Sequence, residues 1–374
     1  MKVLVLAPPM GATGGIQNYT KTLVRALEQI LGAENVCLRA VHAEPRLNSS
    51  GELSFSSGVK ARFLVASLMK AILWRPQLVI CAHVGIAPVG RIIRQVMGAP
   101  YWVILYGIEV WGEIGAAKVR ALRSAARLVT ISQFTFNATN SRNNLSGANV
   151  SFLPPSFSIK DEQKAPESGF TEPWIGAPLV LTVGRIVASE RYKGHDVMLD
   201  AWPAVLKRVP DAIYCIVGDG DDRARLAARA RDLNVADSVK FEGAVSGEEL
   251  RGWYHRCRVF AMPAQTNPDL SPPRGEGFGI VFLEAMAYGK PVVGPNYGAP
   301  GEFIRSGEHG LLVNPSDPVE VADALVELLE NKEHAEQMGR AARAWVSQEF
   351  SEERFRQRLA DILKTDAATR GETI

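Results

Sequence analysis

The sequence predicts an α/β protein of two doubly wound domains, each a largely parallel sheet with helices packed on both faces. Three observations predict it. Short apolar runs alternate with longer amphipathic ones, the pattern of strand and crossover helix. The alternation stops at a stretch rich in proline, serine and charge, Phe152–Pro178, and then restarts. The 374 residues also exceed the length at which one hydrophobic core usually stops growing.

In chain order, "KVLVLAPP" is a buried strand, "GATGG" a turn, and "IQNYTKTLVRALEQIL" a helix with Ile16, Tyr19, Leu23 and Leu27 at helical spacing. "LVICAH", "YWVILYG" and "RLVTIS" are strands separated by helical segments. After the linker come the strand "LVLTVGR" and helix "HDVMLDAWPAVLKRV", then the strand "AIYCIVGDG" and helix "DDRARLAARARDL". "VKFEG" and "RVFAMPA" are strands, "GIVFLEAMAYG" a helix, "PVVGPN" and "GLLVNP" strands, and "DPVEVADALVELLEN" a long helix. Ser351–Lys364 is helical, and the tail "TDAATRGETI" is expected to fray. The expected boundaries are 1–165, an acceptor-binding domain, and 166–350, a donor-binding domain. Residues 351–374 are expected to pack back on the first. Ligands of such sheets sit at the carboxyl ends of strands, and two-domain proteins commonly hold them in the cleft between domains.

Formal net charge is only +2 but is unevenly spread. Between Gly58 and Val150, eleven Lys/Arg face two acids, Glu109 and Glu113, which favours an anionic surface or ligand. Cys37, Cys81, Cys215 and Cys257 are scattered without metal spacing and read as buried thiols of a reducing compartment. "MKVLVLAPP" is too short for a signal peptide, and no apolar stretch is long enough to span a bilayer. The segment Val59–Arg75, "VKARFLVASLMKAILWR", is both cationic and apolar. It suits either the surface of an anionic membrane or a core helix with snorkelling basic stems.

Four motifs are candidates for chemistry. In "PPMGATGGIQ", Gly11, Gly14 and Gly15 precede a helix whose free amides can face an anion, but the spacing is not that of a dinucleotide fingerprint. In "IVGDGDD", Asp219, Asp221 and Asp222 would repel a diphosphate, so these acids read as helix-capping and dipole partners. In "VGRIVASERYKGHD", Arg185 and Lys193 are two cations at a strand's carboxyl end, able to converge on a diphosphate. In "RGEGFGIVFLEAMAYGKP", Gly275, Gly277 and Gly279 bracket Glu276 before a helix start. Glu284 follows within the helix among apolar residues, where two ribose hydroxyls would satisfy it. An ordinary solvated helix charge is the competing reading of Glu284.

Together these elements resemble glycosyltransferase family 4, retaining enzymes of GT-B fold in which two Rossmann-like domains face a central cleft. "TGGIQ", "VGRIVASERYKGHD", "IVGDGDDRARL", "FEGAVSGEEL", "EGFGIVFLEAMAYGKPVV" and "SGEHGLLVNPSDP" occur in the family's order and spacing. The resemblance implies that Gly15 offers its amide to the distal phosphate and that Arg185 and Lys193 neutralise the diphosphate. It implies that Glu276 and the amides of Gly277, Phe278, Gly279 and Ile280 hold sugar and phosphate. Glu284 would clasp the ribose, and the backbone at Gly243 and Val245 would face the base. The catalytic set is then Arg185, Lys193 and Glu276. One position departs from the pattern: Tyr106, in "LYGIEVW", stands where the family usually carries histidine. Tyrosine can donate a hydrogen bond but cannot become cationic near neutral pH. Tyr106, Glu109 and Trp111 are placed on the acceptor side.

The implied activity is retaining transfer of a hexose from a nucleotide diphosphate sugar to a glycan or lipid-linked acceptor, in cell-surface polysaccharide or glycolipid synthesis. GDP-mannose is favoured and UDP-sugars come next. No metal or other cofactor is expected, because no DxD-type motif calls for one, and no nucleic-acid partner is expected. The expected location is cytoplasmic, with attachment to the inner face of the plasma membrane left open. A nucleotide-sugar epimerase and a catalytically silent sugar-binding scaffold are the alternatives.

Overall fold

A computed structural model describes residues 1–11, 14–42, 46–47, 53–54, 56–157 and 176–371. The chain divides into two units: Met1–Ser156 with Glu352–Ile374, and Phe157–Ser351. The middle of the expected linker, residues 158–175, and the expected boundary at 165/166 lie outside the described residues.

In the first unit, β1 (Val3–Ala7) leads into α1 (Gly15–Leu31) and β2 (Val36–Ala40). A small antiparallel pair, β3 (Arg46–Leu47) and β4 (Leu53–Ser54), precedes α2 (Ser57–Trp74). Then come β5 (Leu78–Cys81), α3 (Ala87–Met97), β6 (Tyr101–Leu105), α4 (Ile108–Trp111), α5 (Ala116–Arg123), β7 (Arg127–Thr130), α6 (Gln133–Asn143) and β8 (Val150–Phe152). The sheet order is β2-β1-β5-β6-β7-β8, all parallel.

The second unit runs β9 (Leu179–Val183), α7 (His195–Arg208), β10 (Ile213–Val217), α8 (Arg223–Asp232), β11 (Val239–Gly243), α9 (Gly247–Arg256) and β12 (Val259–Ala261). It continues through α10 (Ile280–Ala287), β13 (Val292–Pro295), α11 (Pro300–Phe303), β14 (Gly310–Val313), α12 (Pro318–Glu330) and α13 (Lys332–Glu349). Its parallel sheet is ordered β11-β10-β9-β12-β13-β14. The order reverses between β9 and β12, and the crevice outside their carboxyl ends is where doubly wound sheets bind ligands.

The central strands β1, β5, β6, β9 and β10 are buried almost throughout, because helices cover both faces, and so they read as unbroken apolar runs. The edge strands β2 and β8 are only partly buried and carry no such run.

The last helix, α14 (Glu352–Thr369), belongs to the first unit, where Phe355 packs edge-on against Tyr19 of α1 at 5.5 Å. It runs past Lys364, which corrects the expected fraying of the tail as far as residue 371. Asp366 is buried there, 3.6 Å from Arg127 and 3.0 Å from Arg370. The ion pairs and the buried Leu363 and Ala367 hold this turn to the unit.

Candidate functional site

The second unit's switch point is built by two loops that the chain stitches together. After β9, Gly184 and Arg185 enter a loop that ends in a 3₁₀ turn, Ala188–Lys193, and Gly194. Gly194 is left-handed (φ +88°), and a Cβ there would come within 2.3 Å of the Pro263 carbonyl, just beyond β12. Only glycine permits that approach. The amide of Gln265 donates to the Tyr192 carbonyl at 2.6 Å and fastens the two loops. From Gln265 the chain turns through paired Asn267 and Arg274 to Gly275, which lies against Thr266. Lys193 and Glu276, 83 positions apart, are thereby brought together: Lys193 Nζ donates to Glu276 Oε2 at 3.2 Å.

The "IVGDGDD" loop braces this arrangement from the other side. A Cβ on Gly218 would meet the Gly184 carbonyl at 1.9 Å, and one on Gly220 would meet the Ile186 carbonyl at 2.1 Å. Ile186 donates to the Asp219 carbonyl, Asp222 donates back to Ile186, and Ala188 donates to Asp221 Oδ1. The acids are structural, as expected, but Asp222 does not cap α8 with its side chain. It is ion-paired instead, to Arg191 at 2.7 Å and Arg225 at 2.7 Å, which hold its carboxyl well below the usual range.

The cations are not free. Lys193 is 14% exposed and lies 3.9 Å from Glu190 as well as against Glu276, and Arg185 pairs with Glu190. Arg185 is 73% exposed, and Glu190 holds its guanidinium at the rim of the loop. Glu190 was not among the sequence candidates. Its only signal was its place three residues before Lys193 on one turn, and its pairing to both cations depends on how the loop folds. Burial and the nearby Glu276 and Glu190 carboxylates push the Tyr192 hydroxyl far above its ordinary pKa.

Gly279 is the N-cap of α10 in a left-handed conformation (φ +89°), where a Cβ would meet the Phe282 ring at 2.7 Å. Phe278 turns inward and stacks on Phe303 at 4.9 Å. This leaves the backbone from Gly277 to Ile280 at the helix start, where first-turn N–H groups lack helical acceptors. One turn into α10, Glu284 is part-buried and receives a 2.7 Å hydrogen bond from the Tyr254 hydroxyl of α9. Burial raises its pKa and Tyr254 partly offsets this. A solvated helix charge does not describe it. Tyr254, stacked on Tyr288, is a second residue the sequence reading missed. At the end of β11, Gly243 (φ +74°) accepts from the Gly218 amide at 2.8 Å, and Val245 is half-buried just before α9.

Gly15, Tyr106 and Glu109 lie in the first unit. Gly15 is exposed at the first position of α1. Tyr106 directly follows β6 and is buried edge-on to Tyr19 at 5.3 Å, and its amide donates to Glu109 Oε1 at 2.7 Å. Burial pushes its hydroxyl far above the ordinary tyrosine pKa. Trp111 is fully buried, packed edge-on against Phe134, and so lines no acceptor surface. His83, two residues beyond the adjacent β5, accepts from the Gly85 amide through Nδ1 at 3.0 Å. Burial lowers its pKa against the pull of Glu109.

Residues 172–345 match the family model described as "Glycosyl transferases group 1". Over these residues, somewhat less than half of its length, the chain is similar to that family. It is 38% identical over 198 residues to a GDP-mannose-dependent alpha-(1-6)-phosphatidylinositol monomannoside mannosyltransferase of Mycobacterium tuberculosis, a match covering 52% of this chain and 49% of that protein. It is 33% identical over 226 residues to a GDP-mannose-dependent monoacylated alpha-(1-6)-phosphatidylinositol monomannoside mannosyltransferase of Corynebacterium glutamicum, covering 59% of this chain and 55% of that one. The chain thus spans about half the length of the curated relatives it matches. The GT-B fold extends over nearly the whole chain. The Anabaena Alr3699/HepE structure in complex with UDP and glucose matches 98% of this chain and 100% of its own, with TM-score 0.72 and 20% identity. The sucrose-phosphate synthase of Thermosynechococcus elongatus matches 99% of this chain and 100% of its own, with TM-score 0.75 and 19% identity.

Proposed function

We propose that this chain is a family 4 glycosyltransferase, a retaining, metal-independent hexosyltransferase using a nucleotide diphosphate sugar and acting on a glycan or lipid-linked acceptor. The observation that carries the reading is the Lys193–Glu276 contact at the switch point, with Arg185 at its rim. It sets a cation for the leaving diphosphate beside a carboxylate for the sugar that the diphosphate carries.

Breaking the anomeric bond builds negative charge on the diphosphate. Lys193, Arg185 and the amides heading α10 stabilise that charge where it develops. Glu190 and Glu276 hold the cations in place before the donor arrives, and the diphosphate then competes with them for Lys193 and Arg185. Glu276 fixes the sugar hydroxyls. Glu284, held by Tyr254, accepts from the ribose, and a carboxylate engaged there is not the nucleophile at the sugar. Retention then follows from attack on the same face the diphosphate leaves, the diphosphate oxygen taking the acceptor's proton. GDP-mannose is the preferred donor, since it is the donor named for the mycobacterial and corynebacterial relatives.

The purified protein is to be incubated with GDP-, UDP-, ADP- and dTDP-sugars, with nucleotide release measured beside a Glu284→Ala control. Release from GDP-mannose, lost in the control and unchanged by a chelator, is expected. Interconversion of the donor sugar without release identifies an epimerase. Absence of both release and saturable donor binding identifies a silent scaffold and removes the assignment.

A further inference from the structure

We propose that Glu190 drives the nucleoside diphosphate product off the donor site by reclaiming the cations that held it. The proposal rests on the donor-site reading above and adds a step after transfer. Glu190 lies on the 3₁₀ turn Ala188–Lys193, where it faces both cations assigned to the diphosphate. Its Oε1 accepts from Arg185, and its Oε2 lies 3.9 Å from Lys193 Nζ. The side chain is only 13% exposed. Oε2 is buried and receives no hydrogen bond from any described residue. A carboxylate oxygen in that state is stabilised by the nearby positive charge. The other groups on the turn cannot replace that charge. Arg191 turns away to Asp222, with hydrogen bonds of 2.9 and 2.7 Å, and the Tyr192 hydroxyl stays protonated and neutral.

The two carboxylates around Lys193 fare differently when a donor binds. Glu276, 20% exposed and 3.2 Å from Lys193, exchanges the cation for the hydroxyls of the donor sugar. Glu190 has no such exchange to make. Once Arg185 and Lys193 turn to the diphosphate, Glu190 is a nearly buried anion beside a second anion, and the two repel. The repulsion grows with the charge on the ligand. The diphosphate of a nucleotide sugar carries about two negative charges. Loss of the sugar frees the terminal phosphate, whose further ionisation has a pKa of about 6, so the product carries about three near neutral pH. Glu190 therefore opposes the product more than the donor, and it takes back Arg185 and Lys193 as the product leaves.

The test is calorimetric titration of the purified protein with GDP and UDP, each compared with its monophosphate and with GDP-mannose or UDP-glucose. Glu190→Gln keeps the shape of the side chain and removes its charge. It is expected to bind the diphosphate about tenfold tighter, through a slower off-rate, and the nucleotide sugar only about threefold tighter. Binding of the monophosphate is expected to stay at the parental value. Glu190→Asp keeps the charge and is expected to bind the diphosphate within about twofold of the parent. Glu190→Ala removes the charge by a second route and repeats the test if the glutamine variant melts early. A residue that only held the loop in shape would weaken binding when replaced. Parental or weaker diphosphate binding in the uncharged variants therefore overturns the proposal. So does an equal gain for the monophosphate, or the same gain in Glu190→Asp. Failure of the parent to bind either diphosphate overturns the donor-site reading itself, and the proposal with it.

Discussion

Lys193 holds Glu276 and Glu190 apart, and its loss would leave two half-buried carboxylates facing each other. Arg185 bears no such burden, being 73% exposed with Glu190 its one acidic partner among the described residues. The two cations should therefore separate in experiment. Arg185→Ala is expected to leave the melting temperature unchanged and to lower turnover about a hundredfold, the cost of removing one charge from the leaving group. Lys193→Ala is expected to lower both. Full turnover in Arg185→Ala would remove it from the diphosphate site. Glu284 is a different case. Burial raises its carboxyl pKa above the unfolded value, so the protonated form favours the folded state. That contribution is complete below the unfolded carboxyl pKa and is lost as pH rises through the raised one. Glu284→Gln can keep the Tyr254 hydrogen bond without the charge. It is expected to melt higher than the parent near neutral pH, with the gain disappearing as pH falls below the carboxylate range. Thermal melts across pH check this, and donor binding should be lost in the same variant.

At the scale of elements, the site depends on a brace that never touches a ligand. Gly218 and Gly220 let the loop after β10 lie on the backbone of Gly184 and Ile186. Gly218→Ala would force a methyl group to within 1.9 Å of the Gly184 carbonyl, at a φ of +142° that other residues avoid. The expected outcome is destabilisation of about 3 kcal/mol in urea unfolding, together with weaker donor binding because Arg185 follows Gly184 directly. A variant that is less stable but binds donor at parental affinity would separate the brace from the site. This coupling explains what could be read from the sequence. Central strands such as β9 and β10 were legible because burial on both faces makes them unbroken apolar runs. Edge strands β2 and β8 were not, because half-burial leaves no such run. Arg185, Lys193 and Glu276 stood out as charges next to glycine turns, and Glu284 as a charge among apolar residues. Glu190 and Tyr254 did not, since each takes its meaning from a partner that only the fold brings near.

At the scale of the whole molecule, the chain leaves the first unit at Ser156 and returns to it at Glu352, so the second unit is inserted within the first. The first unit is therefore completed only when α14 docks, bringing Phe355, Leu359, Leu363 and Ala367 into its core. Arg127 at the start of β7 depends on that docking. Its side chain is 5% exposed, its one acidic partner among the described residues is Asp366, also nearly buried, and Ser151 takes a further hydrogen bond from it. Removing one member of a buried pair strands the other charge away from water, at a cost of about 3–5 kcal/mol. Asp366→Asn keeps the shape but removes the charge, and is expected to destabilise the first unit by about 3 kcal/mol at neutral pH. Hydrogen exchange followed by mass spectrometry localises the effect. Protection should fall in β7, α1 and α14 and stay at parental values in β9–β14. Uniform loss of protection across both units would mean that α14 supports more than the unit it completes, and unchanged protection would mean that the Arg127–Asp366 pair contributes nothing to it.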